Sequence, residues 1–280
     1  MHRRQEVLRY LANAHSHTTA SPTSDPNLGE HYKMSEGLGD YVNLTSFVAA
    51  SRGAAPDPAK KVCSDSSSRS HPNTQTASPK DFVKRLKNYI ARWTLLPDPD
   101  ITSYEHFTEE HRRHIKIISD TLYRHKTLEL TYTTYDMQDG KDKIYQRRYP
   151  DVMVLSDDEE HPYLYGRILD FFHVTVMNNG PNSLLPKDEH ATLHMAWVRW
   201  YKHDTSLGPS GFTSLRYPTV SFYKGNEPDA FGFIHPDEII RAAHLIPSFK
   251  SGSTVEYLAG PSKGRPEGEV SDWKYFNVNM

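Results

Sequence analysis

Residues 161–176 read HPYLYGRILDFFHVTV and residues 194–203 read HMAWVRWYKH, and these two blocks decide the fold. Both are rich in aromatic and β-branched residues, and the side chains alternate in character along them, the pattern of partly buried strands. In the longer block Leu164, Ile168, Phe172, Val174 and Val176 fall on one face, with Tyr163, Tyr165, Arg167, Leu169, Phe171 and His173 on the other. Across the shorter one and the two residues before it, Leu193, Met195, Trp197, Arg199 and Tyr201 oppose Thr192, His194, Ala196, Val198 and Trp200. Each face therefore carries one tryptophan.

Smaller blocks of the same kind flank these two: PDVMVLS at 150–156, LRYPTVSFY at 215–223 and HPDEIIRAAHLIPSF at 235–249. Strands are predicted over 128–135, 149–155, 163–176, 192–201 and 215–223, with a turn at 138–141. Residues 239–246 have a composition that permits a helix or a strand, and the short window between Pro236 and Pro247 favours a final strand. The predicted fold is mainly β with flanking helices (α+β): a small antiparallel β-barrel module over 127–249.

Upstream, Ser78 and Pro79 form a favourable cap and first-turn pair. Phe82, Val83, Leu86, Tyr89, Ile90 and Trp93 then recur at helical spacing. A second helix is expected from Thr108 to about residue 126, with Ile115, Ile118 and Leu122 on its apolar face. Residues 79–126 thus read as a helical segment packing on the barrel. Residues 1–78 are rich in Ser, Thr, Pro and Asn and are expected to be mostly disordered. Within them 5–14 would form a marginal helix and 41–48 a short ordered patch. Residues 250–280 read as a loosely ordered tail.

Composition narrows the function classes. The chain has 280 residues, 36% of them hydrophobic, with a net charge of −2, which argues against strong whole-chain attraction to nucleic acid. The single cysteine, Cys63, cannot form an internal disulfide, and an intracellular, reducing setting is expected. No apolar run approaches the roughly 18–20 residues that span a bilayer, and the N-terminus lacks the apolar core of a secretory signal.

Two resemblances add to this reading. The segments Tyr123-Arg124-His125-Lys126, Tyr132-Thr133-Thr134-Tyr135-Asp136, Asp151-Val152-Met153-Val154-Leu155 and His161-Pro162-Tyr163 carry the first. Trp197-Val198-Arg199-Trp200-Tyr201, Ala230-Phe231-Gly232-Phe233, His244-Leu245-Ile246-Pro247 and Asp272-Trp273-Lys274-Tyr275-Phe276-Asn277-Val278-Asn279-Met280 continue it. In order and spacing these resemble the C-terminal region of the proteins of Plavaka-type transposons, CACTA-like elements of mushroom-forming fungi. The family's presumed zinc-binding and nuclease regions lie upstream of this part, so the resemblance implies a C-terminal piece without transposase activity. The second resemblance is to bromo-adjacent homology domains, barrel-based chromatin and protein-interaction modules. Asp151 to Leu155, Tyr165-Gly166-Arg167-Ile168, Val198-Arg199-Trp200-Tyr201 and the run from Ile239 to Pro247 match that pattern. It implies a nuclear binding module with chromatin or another protein as partner.

The candidate binding residues are Tyr163, Tyr165, Trp197, Trp200, Tyr201 and Tyr223, which would line a cage for a methylated lysine or stack single-stranded bases. The plainer reading is that they fill the barrel. An alternative nucleic-acid surface comprises Lys84, Arg85, Lys87 and Arg92 on the first helix and Arg112, Arg113, Lys116, Arg124 and Lys126 on the second. A relic fragment without selected function is a third reading. No catalytic set, metal, cofactor or small-molecule substrate is expected: His111 and His114 lack further ligands, and Asp136, Asp151 and Asp170 do not read as a converging metal site.

Overall fold

The computed structural model describes residues 31–35, 41–46, 79–95, 107–134, 136, 138–145, 150–156, 158, 161–204, 217–258, 265 and 269–279. The helix expected over 5–14 and the polar runs around it lie outside these residues. Two parts of the N-terminal region are nevertheless built into sheets: β1 (Tyr32–Met34) and β2 (Tyr41–Asn43). Helix α1 (Pro79–Thr94) forms where expected, and it buries Phe82, Leu86, Tyr89, Ile90 and Trp93.

The second helix is a correction. Thr108 does cap one, its hydroxyl accepting from the His111 N–H at 3.4 Å, but α2 (Glu109–Arg113) is only five residues long. The chain then becomes β3 (Ile115–Ile117) and β4 (Thr121–His125), both paired antiparallel with β8 (Tyr163–Asn178). Ile115, Ile117, Ile118 and Thr121 are β-branched, a composition that fits a pleated surface once a partner strand is at hand. Ser119 and Asp120 turn the chain between the two strands with positive φ of 58° and 52°. Two bonds brace that turn: the Asp120 carboxylate accepts from the Thr45 N–H (2.9 Å), and the Thr121 hydroxyl donates to the Ser119 carbonyl (2.7 Å).

The remaining strands are β5 (Thr127–Thr133), β6 (Asp139–Tyr145), β7 (Asp151–Leu155), β9 (Ala191–His203), β10 (Thr219–Phe222), β11 (Phe231–Ile234), β12 (Ile239–Ala242), β13 (His244–Pro247), β14 (Ser253–Thr254), β15 (Asp272–Trp273) and β16 (Phe276–Asn279). The run expected as one final strand is thus two, and β6 and β11 are additional. The β8–β9 ladder is the spine, and the main path runs β12-β7-β8-β9-β10-β16-β13. That path is open: among the described residues no ladder closes it into the expected barrel. Its two terminal strands are consecutive in the chain, separated only by Ala243, whose N–H donates to the Asp151 carbonyl at 2.8 Å. The sheet curls, and chain connectivity brings its ends together.

A bulge in β8 decides which side chains share a core. Ile168 pairs with Val198 and Asp170 with Trp197, leaving Leu169 as the extra residue. The parity of β8 therefore changes at this point. Phe172, Val174 and Val176 join α1, Leu193, Met195 and Trp197 in one core. Ile168 and Phe171 face a second core, roofed by Leu128, Leu130 and Ile144 of the β5–β6 hairpin. The single apolar face read from strict alternation is thus divided. The tail is a correction too: Phe276 and Val278 of β16 are buried in a third core with Tyr165, Tyr201, Val220, Phe222 and Leu245. Their alternation with Asn277 and Asn279 explains why this end makes a strand.

Candidate binding site

The six aromatic candidates do not converge on one external cage. Tyr165, Trp197 and Tyr201 are buried, whereas Tyr163, Trp200 and Tyr223 are half-buried. Trp197 packs edge-on against Phe82 of α1, with centroids 5.1 Å apart. Trp200 lies on the opposite face, close against Gly166 and Gly232, where an added Cβ would come within about 3 Å of the indole. The plainer reading holds for Tyr165, Trp197 and Tyr201: they fill cores.

An aromatic cage does exist around Tyr201, and the chain fills it from within. Tyr201 stacks on Phe222 at 4.1 Å and meets Phe276 edge-on at 5.4 Å. The Arg167 guanidinium carbon stands 5.8, 5.1 and 5.5 Å from the Tyr201, Phe222 and Phe276 ring centres, within cation–π range. Its Nε and Nη2 donate to the two Asp151 oxygens at 2.8 and 3.1 Å, and the Tyr201 hydroxyl donates to Oδ1 at 3.0 Å. Burial opposes the charge on Arg167, but Asp151 beside it more than offsets this and raises its pKa. A cage expected to receive a cation already holds one.

A second buried ion pair lies next to it. Arg199 donates to both Asp272 oxygens at 2.9 Å, and Arg265 donates to Asp272 Oδ2 (2.8 Å) and to the Leu258 carbonyl (2.6 Å). The Arg199 guanidinium also lies 3.6 Å from the centre of the Phe222 ring, so Phe222 contacts both arginines. Burial pushes the Asp272 carboxyl up, yet its bonds to Arg199 and Arg265 prevail and hold it below its ordinary value. Bidentate geometry is what makes so buried a pair tolerable, since each ion alone costs several kcal/mol to desolvate.

Carboxylates elsewhere are engaged singly. Asp170 accepts from Arg124 Nε and Nη2 and from the Phe171 N–H, Asp151 from Arg167 and Tyr201, and Asp136 from the Thr134 hydroxyl. Among the described residues, no group of three His, Cys, Asp or Glu has metal-holding geometry. His111 serves the α2 cap through both its N–H and its ring. No helix of the described residues is long and apolar enough to cross a membrane.

The basic surface is likewise drawn inward. Arg85 donates to the Pro228 and Phe231 carbonyls, Lys87 to the Arg112 carbonyl, and Arg92 pairs with Glu238 at 2.9 Å. Arg112 is buried against Glu109, Asn88 and Phe107, and Arg124 holds Asp170. Lys84, Arg113, Lys116 and Lys126 are exposed, but they are spread over α1, α2, β3 and the turn after β4.

Sequence reasoning missed the rim where β7 ends, β8 begins, β9 ends and β10 approaches. Leu155 and Tyr217 are each 64% exposed there. The rings of His161 and His203 stack 4.0 Å apart at 7°, and His203 Nε2 lies 2.9 Å from the Tyr163 carbonyl. Burial lowers the His203 pKa, with His161 adding to this, although the bond to Tyr163 works the other way. Tyr165 below is pushed up to about 12 by burial and by Tyr163. The available signal was that each of these residues sits at a strand terminus, and strict antiparallel order brings such termini to one end. No family model matches this chain, and no curated protein or solved structure matches it either.

Proposed function

We propose that the chain is a non-catalytic binding module of transposon descent that recognises chromatin or another protein in the nucleus. Its curled sheet acts as a small barrel of bromo-adjacent-homology type. The observation carrying this reading is the rim of exposed Leu155 and Tyr217 with half-buried Tyr163, His161 and His203, set over an interior already filled by Arg167 and Arg199. Half-exposed aromatic and imidazole rings on a rigid strand end offer contact area at little conformational cost. Supporting the barrel reading, Asp151 to Leu155, Gly166-Arg167-Ile168 and Val198 to Tyr201 fall on the adjacent strands β7, β8 and β9. The nucleic-acid alternative loses support because Arg85, Lys87, Arg92, Arg112 and Arg124 serve internal bonds.

The test is a fluorescence-polarisation titration of the whole chain with histone-tail peptides, methylated and unmethylated, and with duplex DNA. Peptide binding weakened about 10-fold or more by Tyr163→Ala or Tyr217→Ala, roughly the scale of an interface anchor, supports the rim. Peptide binding that both variants leave unchanged removes it. Salt-sensitive DNA binding without peptide binding favours the alternative.

A further inference from the structure

Strand β1 lies over a group of histidines contributed by three strands. His125 of β4, His173 of β8 and His194 of β9 have ring centres 4.9, 6.1 and 6.1 Å apart. His125 Nε2 meets His173 Nδ1 at 2.7 Å, and the other ring nitrogen of His125 bonds to the Ser35 carbonyl. A nitrogen facing a carbonyl must carry hydrogen, so in the neutral ring His125 Nε2 is the acceptor and His173 the donor. A proton added at the other nitrogen of His173 leaves that bond in place, whereas a further proton on His125 Nε2 would set two N–H groups face to face. From β1 the Tyr32 hydroxyl bonds His194 Nδ1 at 2.8 Å, and the Tyr32 ring stands edge-on to His194 and His235 at 5.7 and 5.6 Å.

The strand is short, and its outermost backbone bonds run from the Thr131 N–H to the His31 carbonyl (2.8 Å) and from the Ser35 N–H to the Thr127 carbonyl (3.0 Å). It pairs with β5 over only Tyr32, Lys33 and Met34, with Ser35 accepting from the Lys126 and Thr127 amides through its hydroxyl. Tyr32 and Met34 pack on the second core, which includes Leu128, Leu130 and Ile239. We propose that the segment His31–Ser35 is an acid-released strap, which protonation of His173 and His194, packed beside His125, frees from β5, baring the β5 edge and the apolar face beneath. An imidazolium requires hydration, and the strap covers His194, against which both the hydroxyl and the ring of Tyr32 lie.

The surroundings set the sign. Burial first, then His235, His125 and His173, lower His194 to about 4, against an opposing effect of Asp237. Burial and His125 lower His173. Release of the strap leaves these rings on β8 and β9 but uncovers them in part, so the released state binds protons better than the docked one, and docking weakens as pH falls from about 6.5 toward 4. Charges nearby are few: Asp237 lies 3.4 Å from His235, and Glu238 is paired with Arg92. The Tyr89 hydroxyl donates to the His194 carbonyl, and Tyr123 stacks on His173 at 4.8 Å. On the strap itself, the two ring nitrogens of His31 lie 3.0 and 2.9 Å from the Thr131 and Ile239 carbonyls.

Methyl NMR of methionine-labelled full-length chain tests this, with Met34 reporting on the strap and Met195 on the core under α1. The Met34 resonance is expected to move to its free-chain position between about pH 6.5 and 4 while Met195 stays native. The double variant His173→Gln/His194→Gln should lower that midpoint by about one pH unit or more. Tyr32→Phe, which leaves every histidine in place, should raise it by roughly half a unit through loss of one bond. A Met34 signal that stays native to pH 4, that moves together with Met195, or whose midpoint neither variant shifts overturns the proposal.

Discussion

The face of β8 and β9 beneath α1 is packed with Leu86, Ile90, Leu193, Met195 and Trp197, whereas further along the same face of β9 Arg199 and Tyr201 are buried among Val220, Phe222 and Phe276. One continuous strand thus serves two cores of opposite chemistry. Under α1, stability comes from apolar area, about 1.5–3 kcal/mol for each fully buried large side chain. At the other end it depends on two carboxylates meeting three guanidinium groups, with Phe222 between the arginines. An apolar core weakens by the volume removed. A paired one fails when either partner is lost, because the remaining charge is stranded.

The largest effect should therefore follow Asp272→Ala, which leaves Arg199 and Arg265 buried without their carboxylate and should cost about 3–5 kcal/mol in urea unfolding. The triple variant Arg199→Met/Arg265→Leu/Asp272→Leu sharpens the contrast: it should recover most of that loss, since replacing all ions by apolar groups avoids the desolvation cost. Leu86→Ala in the apolar core should cost about 2–5 kcal/mol through its cavity, and no charge change should rescue it. Gly166→Ala tests close packing between the two regions. An added Cβ would stand 2.3 Å from Val198 Cγ1, and a loss of about 1–3 kcal/mol is expected by thermal unfolding.

Acid should separate the two cores as well. The folded Asp272 carboxyl is held below its ordinary value, so its stabilisation is present above about pH 4 and is lost as pH falls below that. Denaturation of the natural chain and the triple variant from pH 6 to 2 should show their stability difference shifting toward the variant only in that lower range. The smallest expected effect is at α2, where Thr108→Ala removes a cap from a five-residue helix and should cost about 0.5–1 kcal/mol.

Much of this architecture was legible. Phe82, Leu86, Tyr89, Ile90 and Trp93 at helical spacing located α1, and the alternation around Trp197 to Tyr201 located β9 and its faces correctly. The second helix failed because Ile115, Ile118 and Leu122 satisfy a helical period by coincidence, while the neighbouring edge of β8 offered them a ladder. The β8 faces failed at Leu169, since a bulge leaves no mark in a residue pattern that assumes strict alternation. The cage is instructive: the plainer reading, that the aromatic residues fill the interior, fits Tyr201, because Arg167 on the adjacent strand holds the place an external cation would take.

Local pattern thus determined the period and apolar face of α1 and of β9, and the places of β7, β8 and β10, because those properties depend on neighbours within a few residues. Tertiary structure alone decided what covers each face and which charges meet. Arg199 and Asp272 are 73 residues apart, His31 and Ile239 208 apart, and β16 enters between β10 and β13 from the far end of the chain. A side chain's sequence neighbours say whether it will be buried. Its partner is set by the path the backbone takes to bring distant strands together.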